Sequence, residues 1–154
     1  MTAAPPQTTR VAERLGLDIG GVFAKAVALD ATGQVVARAA ERHHGNPLPL
    51  LRRILAGMVP PGAPPIGLTG SYAPAVAECL ALRPADAVSA EIAAVRRVLP
   101  DARNILNVGG SSVTLIQLDD DGRFLDYSVN SLCAAGTGAF LDQQAERLGI
   151  RYED

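Results

Sequence analysis

A chain of 154 residues with a net charge of −2 and 48% apolar residues can bury a core without disulfide staples and suits one domain or two small lobes. The charge balance excludes a strongly basic nucleic-acid surface, and 4% aromatics with no Trp exclude a base-stacking platform. Of 14 basic residues 13 are Arg and one is Lys, Lys25, beside 26 alanines; the bias reads as genome composition, and it singles out the lysine that survives it. Two cysteines, Cys79 and Cys133, without a CxxC, make no disulfide framework. Met1 to Arg14 lacks the apolar stretch of a signal peptide, and no apolar run reaches the roughly 18 residues that span a bilayer. The expectation is a cytoplasmic chain with free thiols and no membrane or nucleic-acid partner.

In chain order, the polar, Pro-containing residues 1–13 read as a disordered tail. Leu15 to Gly20, Val22 to Asp30 and Gln34 to Glu41, separated by Gly20-Gly21 and Ala31-Thr32-Gly33, read as a three-strand meander. Pro47 to Met58 carries apolar residues at 48, 50, 51, 54, 55 and 58, the spacing of a helix with proline in its first turn. Val59 to Pro65 is a loop and Ile66 to Thr69 a short strand. Ala73 to Leu82 and Ser89 to Leu99 are helices, the second with Ser89 as N-cap. A second meander follows: Asn104 to Val108, Ser112 to Leu118 and Phe124 to Val129. A last helix runs from about Gly136 to Leu148.

The two meanders are related at a fixed offset of 89 residues. Leu17-Asp18-Ile19-Gly20-Gly21 lies over Leu106-Asn107-Val108-Gly109-Gly110, Lys25 over Thr114, Leu29-Asp30 over Leu118-Asp119, and Gly33 over Gly122; six of twenty positions from 17–36 are identical in 106–125. No gap is needed, and the glycines coincide where tight turns need them, so duplication is favoured over chance. The first copy continues through a helix, a strand and further helix, whereas the second stops after one helix. The expectation is a complete first lobe over 14–100 and an incomplete second over 101–154, in a fragment or shortened product.

Four stretches can carry chemistry. Asp18-x-Gly20-Gly21 lies at a strand–turn–strand, where backbone N–H groups can approach a phosphate; Asp18 can hold Mg²⁺ through water or orient an attacking water, and Lys25 supplies a point charge. One such turn is usually a plain hairpin, but two at one offset suit a nucleotide clamped between lobes. Gly67-Leu68-Thr69-Gly70-Ser71 is either a plain turn or a lobe-connecting loop beside that nucleotide. Cys133-Ala134-Ala135-Gly136-Thr137-Gly138 opens a helix. Its glycines and threonine can form an anion nest, and the helix dipole favours a thiolate at Cys133, the form that binds iron; the plainer reading is a small buried cysteine by a turn. Three further features read as structural. His43-His44 points to both sides of a strand end as surface residues, Cys79 is a buried helix residue, and Asp119-Asp120-Asp121-Gly122 is an acidic turn.

Leu15 to Gly20, Lys25 to Asp30, Leu68-Thr69-Gly70, Glu91-Ile92, Ile105 to Gly110 and Asn130 to Leu141 occur in the order that resembles the BadF/BadG/BcrA/BcrD-type ATPases, activators of 2-hydroxyacyl-CoA dehydratases and relatives of benzoyl-CoA reductase subunits. The resemblance covers roughly 14–151, and its most specific part is CAAGTG followed by Phe140-Leu141. It implies an actin/hexokinase/Hsp70-like fold of two duplicated ribonuclease-H-like lobes with ATP between them. It implies a [4Fe-4S] cluster shared across a homodimer, with Cys133 as one ligand and a second cysteine downstream of Asp154. It further implies ATP-driven transfer of one electron to an acyl-CoA dehydratase or reductase component.

Carried onto this chain, Asp18 and Asn107 stand at the catalytic positions. Gly20, Gly21, Lys25, Gly109, Gly110, Ser111, Ser112, Gly136, Thr137 and Gly138 stand at the nucleotide. The chain departs from the family pattern at several places. Gly21, Val22, Phe23 and Ala24 replace the hydroxyl residues after the first DxG, Asn107 replaces an Asp, Thr114 a Lys, and Val95 the His after Glu-Ile. These departures open a second reading, a non-catalytic pseudo-ATPase or partner-binding lobe of the same fold. A sugar or acetate kinase is a weaker third, having no place for CAAGTG.

Overall fold

The computed structural model describes residues 12–59, 64–130 and 138–151. Strands β1 (Arg14–Ile19), β2 (Phe23–Leu29), β3 (Val35–Arg42) and β4 (Ile66–Thr69) form one sheet in the order β3-β2-β1-β4, with β4 parallel to β1 and the other pairs antiparallel. Helices α1 (Pro47–Met58) and α2 (Ala73–Leu80) flank β4 in sequence, and α3 (Ala87–Val98) leads to a second, antiparallel sheet of β5 (Asn104–Val108), β6 (Val113–Leu118) and β7 (Phe124–Val129). Helix α4 (Gly138–Leu148) closes the described chain. No described helix is long and apolar enough to cross a membrane.

Strand alternation sets the first core. Leu17 and Ile19 on β1 and Ala24 and Ala26 on β2 turn to one face, where Leu50, Leu51 and Ile54 of α1 and Ala73, Val76 and Ala77 of α2 cover them. Leu17, Ile19, Leu51 and Leu68 are fully buried, each contributing about 1.5–3 kcal/mol over exposure. The buried face of α2 explains one correction. Cys79 lies two residues beyond Ala77, on the other side of the helix, and is exposed rather than buried. The helix also ends at Leu80, not Leu82, because Ala81 turns left-handed at φ 52°.

Both meanders are built alike down to single hydrogen bonds. Gly20 N–H donates to Phe23 O at 2.9 Å, and 89 residues on Gly109 N–H donates to Ser112 O at 2.8 Å. Asp30 Oδ1 accepts from the amides of Thr32 and Gln34, as Asp119 Oδ1 does from those of Asp121 and Arg123. Gly33 and Gly122 carry φ of 78° and 73°, and both units shift register at the same place, Ala28/Leu29 and Gln117/Leu118. The acidic triplet is thus the turn of the second copy. Glu13, placed in the tail by the sequence, donates its N–H to Leu29 O at 2.7 Å and so joins the sheet.

Helix α3 lies between the sheets. Its N-cap is Asp86, whose carboxylate accepts from Ser89 N at 2.7 Å, which moves the helix start to Ala87 and corrects Ser89 to a first-turn residue. Val88, Ile92 and Val95 pack on Ile105, Ile116 and Leu118 of the second sheet. At its C-terminal end Arg97 donates to the carbonyls of Thr32 and Gly33, while Arg96 lies against Gly122, so adjacent arginines reach the equivalent turns of the two copies. The face of the second sheet that corresponds to the first core is open. Leu106 and Val108, the counterparts of Leu17 and Ile19, are 64% and 46% exposed.

Candidate functional site

The site grows from the register of β1 and β2. Asp18 stands directly opposite Lys25, and Lys25 Nζ lies 3.0 Å from Asp18 Oδ2 on the sheet face turned away from the first core. In the second copy Asn107 stands opposite Thr114. Neither residue is charged, so the pair is not repeated. Instead Asn107 Nδ2 donates to Glu91 Oε2 of α3 at 3.1 Å. Glu91, which the sequence marks only through the family resemblance, thereby brings a carboxylate to the second half of the site. Asp18, Thr69, Glu91 and Asn107 line one cavity of about 490 Å³ between α3 and the inner strand ends of both sheets.

The two glycine turns, which begin just after Asp18 and Val108 of this lining, meet each other. A side chain on Gly21 would run into Ser111, and one on Gly110 would run into Val22. The structure therefore brings Gly20-Gly21 and Gly109 to Ser112 together, two copies of one turn in contact. Not every amide in these turns is open to a ligand. Gly20 and Gly109 N–H groups close their own turns, and Gly138 N–H donates to Gly109 O at 3.0 Å. Gly138 thus docks the start of α4 on the second turn. Asp142, one turn further along α4, pairs with Arg42 of β3 at 2.7 Å.

Gly70 completes the first half. It adopts φ 104°, and a Cβ there would strike Ile19 O and the Asp18 carboxylate. Only glycine lets the β4–α2 loop approach Asp18 this closely. Thr69 Oγ1 donates to Ala85 O at 3.2 Å and ties that loop to the segment entering α3.

His43 corrects the sequence reading. His44 is exposed, but His43 is buried and bonded to Gly20 O, so it belongs under the first turn, not on the surface. The adjacent-histidine pattern carried no signal of this. Cys133, Gly136 and Thr137 lie outside the described residues. Among the described residues no group of three or more His, Cys, Asp or Glu could hold a metal ion.

No protein-family model matches the chain. A stretch of 56 residues, 36% of the chain, is 39% identical to the 2-hydroxyisocaproyl-CoA dehydratase activator of Clostridioides difficile, covering 21% of that protein. A stretch of 55 residues, also 36% of the chain, is 36% identical to a benzoyl-CoA reductase component of Thauera aromatica, covering 20% of it. The structure of the Clostridium difficile activator of 2-hydroxyisocaproyl-CoA dehydratase with bound ADPNP superposes on 90% of this chain with a TM-score of 0.70 and 26% identity. Component A of the Acidaminococcus fermentans (R)-2-hydroxyglutaryl-CoA dehydratase superposes on 90% with a TM-score of 0.73 and 25% identity. The chain spans 53% and 54% of those two structures. An ethanolamine utilization protein, EutJ, of Carboxydothermus hydrogenoformans shares the fold alone, with a TM-score of 0.62 at 16% identity. The fold is the actin-like ATPase fold, and in sequence and structure the chain is similar to the activators of 2-hydroxyisocaproyl-CoA dehydratase and (R)-2-hydroxyglutaryl-CoA dehydratase.

Proposed function

We propose that the chain is the phosphate-binding part of an ATP-dependent activator that passes one electron to a 2-hydroxyacyl-CoA dehydratase or benzoyl-CoA reductase-type component. The observation that carries this reading is the meeting of two copies of one glycine turn beside a cavity lined by Asp18 and Asn107. In this reading Lys25 turns from Asp18 to a phosphate oxygen, and Asp18 holds a hydrated Mg²⁺ or orients water. Gly21 and Gly110 offer backbone, and Ser111 and Ser112 hydroxyls, to phosphate oxygens. Gly136 and Thr137 are assigned to the nucleotide by the sequence resemblance alone. A [4Fe-4S] cluster, when bound, supplies one-electron transfer; Cys133 would be this chain's ligand, in a cytoplasmic homodimer.

Calorimetric titration of the chain with Mg·ATP is the direct test. Saturable binding that disappears in Asp18→Asn supports the reading, and no binding by the native chain refutes it. For the cluster, anaerobic reconstitution with iron and sulfide should give a brown protein in which Cys133→Ala loses iron. Full iron retention by that variant would remove Cys133 from the assignment.

One observation favours the second reading, a lobe that binds nucleotide or a partner without turnover. Asn107 cannot act as a carboxylate, and its amide is engaged by Glu91. Binding of Mg·ATP with no phosphate release would decide for it.

A further inference from the structure

Among the described residues His43 is the buried polar side chain, 4% exposed, and it joins the β3–α1 loop to the first glycine turn. Gly45 N–H points at Nδ1, 3.1 Å away, which makes Nδ1 the acceptor and leaves the proton on Nε2. Nε2–H then donates to Gly20 O at 3.0 Å. The backbone N–H of the same residue donates to Val22 O at 3.1 Å. One residue therefore holds the carbonyls on both sides of Gly21. Its ring lies 5.3 Å from that of Tyr72, whose own N–H donates to Ile19 O at 2.8 Å. The three segments around the turn (β1 end, β3 end and β4–α2 loop) are joined at this imidazole.

We propose that His43 is a positioning residue for the first phosphate turn, an assignment that rests on reading that turn as a phosphate site. Gly20-Gly21 has no side chains to limit its backbone, so an outside contact must choose its conformation. In a planar trans peptide the C=O and the next N–H point opposite ways. Fixing Gly20 C=O toward His43 therefore fixes Gly21 N–H toward the other side of the turn. Gly20 N–H is already used within the turn, so the direction of the Gly21 donor decides what the turn can offer an anion. A buried imidazole bonded at both nitrogens holds that direction more firmly than a solvated side chain could.

The test compares His43→Ala, His43→Gln and, as a control at the exposed neighbour, His44→Asn. Mg·ATP affinity is measured by calorimetry and the Gly21 amide by NMR hydrogen exchange. The Ala variant should bind Mg·ATP roughly tenfold more weakly, and its Gly21 amide should exchange faster and shift. Gln keeps a side-chain N–H donor and should recover most of the affinity, which lost packing alone would not allow. Native affinity in a folded Ala variant, or no recovery in a folded Gln variant, overturns the assignment. If Ala does not fold, the Gln variant decides: near-native affinity with native-like Gly21 exchange supports the assignment, and a folded Gln variant with binding weaker by about tenfold or more or faster Gly21 exchange overturns it. If the native chain binds no ATP, the phosphate reading falls. Gly21 exchange still decides whether His43 sets the turn: equal exchange in all variants overturns it, and rescue by Gln supports it.

Discussion

Lys25 and Asp18 face one another across β1 and β2 with 3.0 Å between Nζ and Oδ2, their side chains 56% and 38% exposed. An ion pair this open to water is worth at most about 1 kcal/mol. It is therefore a poor explanation for keeping the chain's single lysine, and a readily broken pair suits a cation that must move to a ligand. Lys25→Met should leave thermal stability within about 1 kcal/mol of native. It should weaken Mg·ATP binding by about tenfold or more, since a bond to a charged group is lost. Melting curves and calorimetric titration read the two effects separately. A variant that loses stability but not affinity would make the pair a structural one.

Gly70→Ala should show the opposite pattern, losing stability first. At φ 104° the new Cβ meets Ile19 O and the Asp18 carboxylate. The backbone region alone costs about 1–3 kcal/mol outside glycine, and the collision adds to it. Urea unfolding should report a loss of about 3 kcal/mol or more. Gly57→Ala is the matched control, because it lies in α1 with nothing within 4 Å of the added carbon. It should gain about 0.5–1 kcal/mol from helix propensity.

The strands and the duplication were legible because both depend on local, periodic signals. Alternation at Leu15, Leu17 and Ile19 and glycines at 20, 33, 109 and 122 mark the turns directly, and the 89-residue offset then recurs in individual bonds such as Gly20 N–H to Phe23 O. Site features made by tertiary packing were not legible. Nothing in the sequence ties His43 to Gly20, Asn107 to Glu91 or Arg97 to Gly33, since each pair joins distant elements. Caps sit between: Asp86 and Ser89 are both competent N-caps by type, and only the bond from Ser89 N to Asp86 chooses between them.

That cap gives a pH-dependent prediction. Hydrogen bonds from Ser89 backbone and side chain hold the Asp86 carboxyl below its ordinary value of 3.8. A depressed folded-state value means the carboxylate form is favoured by folding. Its contribution is present in full above 3.8 and fades as pH falls through the lower folded value. Asp86→Ala should melt below native at neutral pH, and the gap should narrow in strongly acidic buffer. Asp86→Asn caps without titrating and should stay close to native at neutral pH. Melting temperatures of the three proteins across pH 2–7 check this. A gap that does not change with pH would take the ionised carboxylate out of the cap.

Asn107→Asp separates the two functional readings. The substitution places a second carboxylate against Glu91, whose Oε2 now accepts from the Asn107 amide at 3.1 Å. Two carboxylates at that distance repel, and the bond is lost as well. In EDTA the variant should be less stable than native by about 1 kcal/mol, the scale for charges near a surface. With Asp18 lining the same cavity, magnesium at millimolar concentration should relieve the repulsion and restore the melting temperature. Calcium, which accepts larger and looser oxygen sets, should do so less selectively. If magnesium restores stability and phosphate release from ATP rises above native, the cavity is a metal–nucleotide site weakened at one position. If magnesium leaves the variant destabilised, the cavity does not gather the ion. Asn107 then belongs to a bond that locks α3 to β5, and the lobe acts as a binding module.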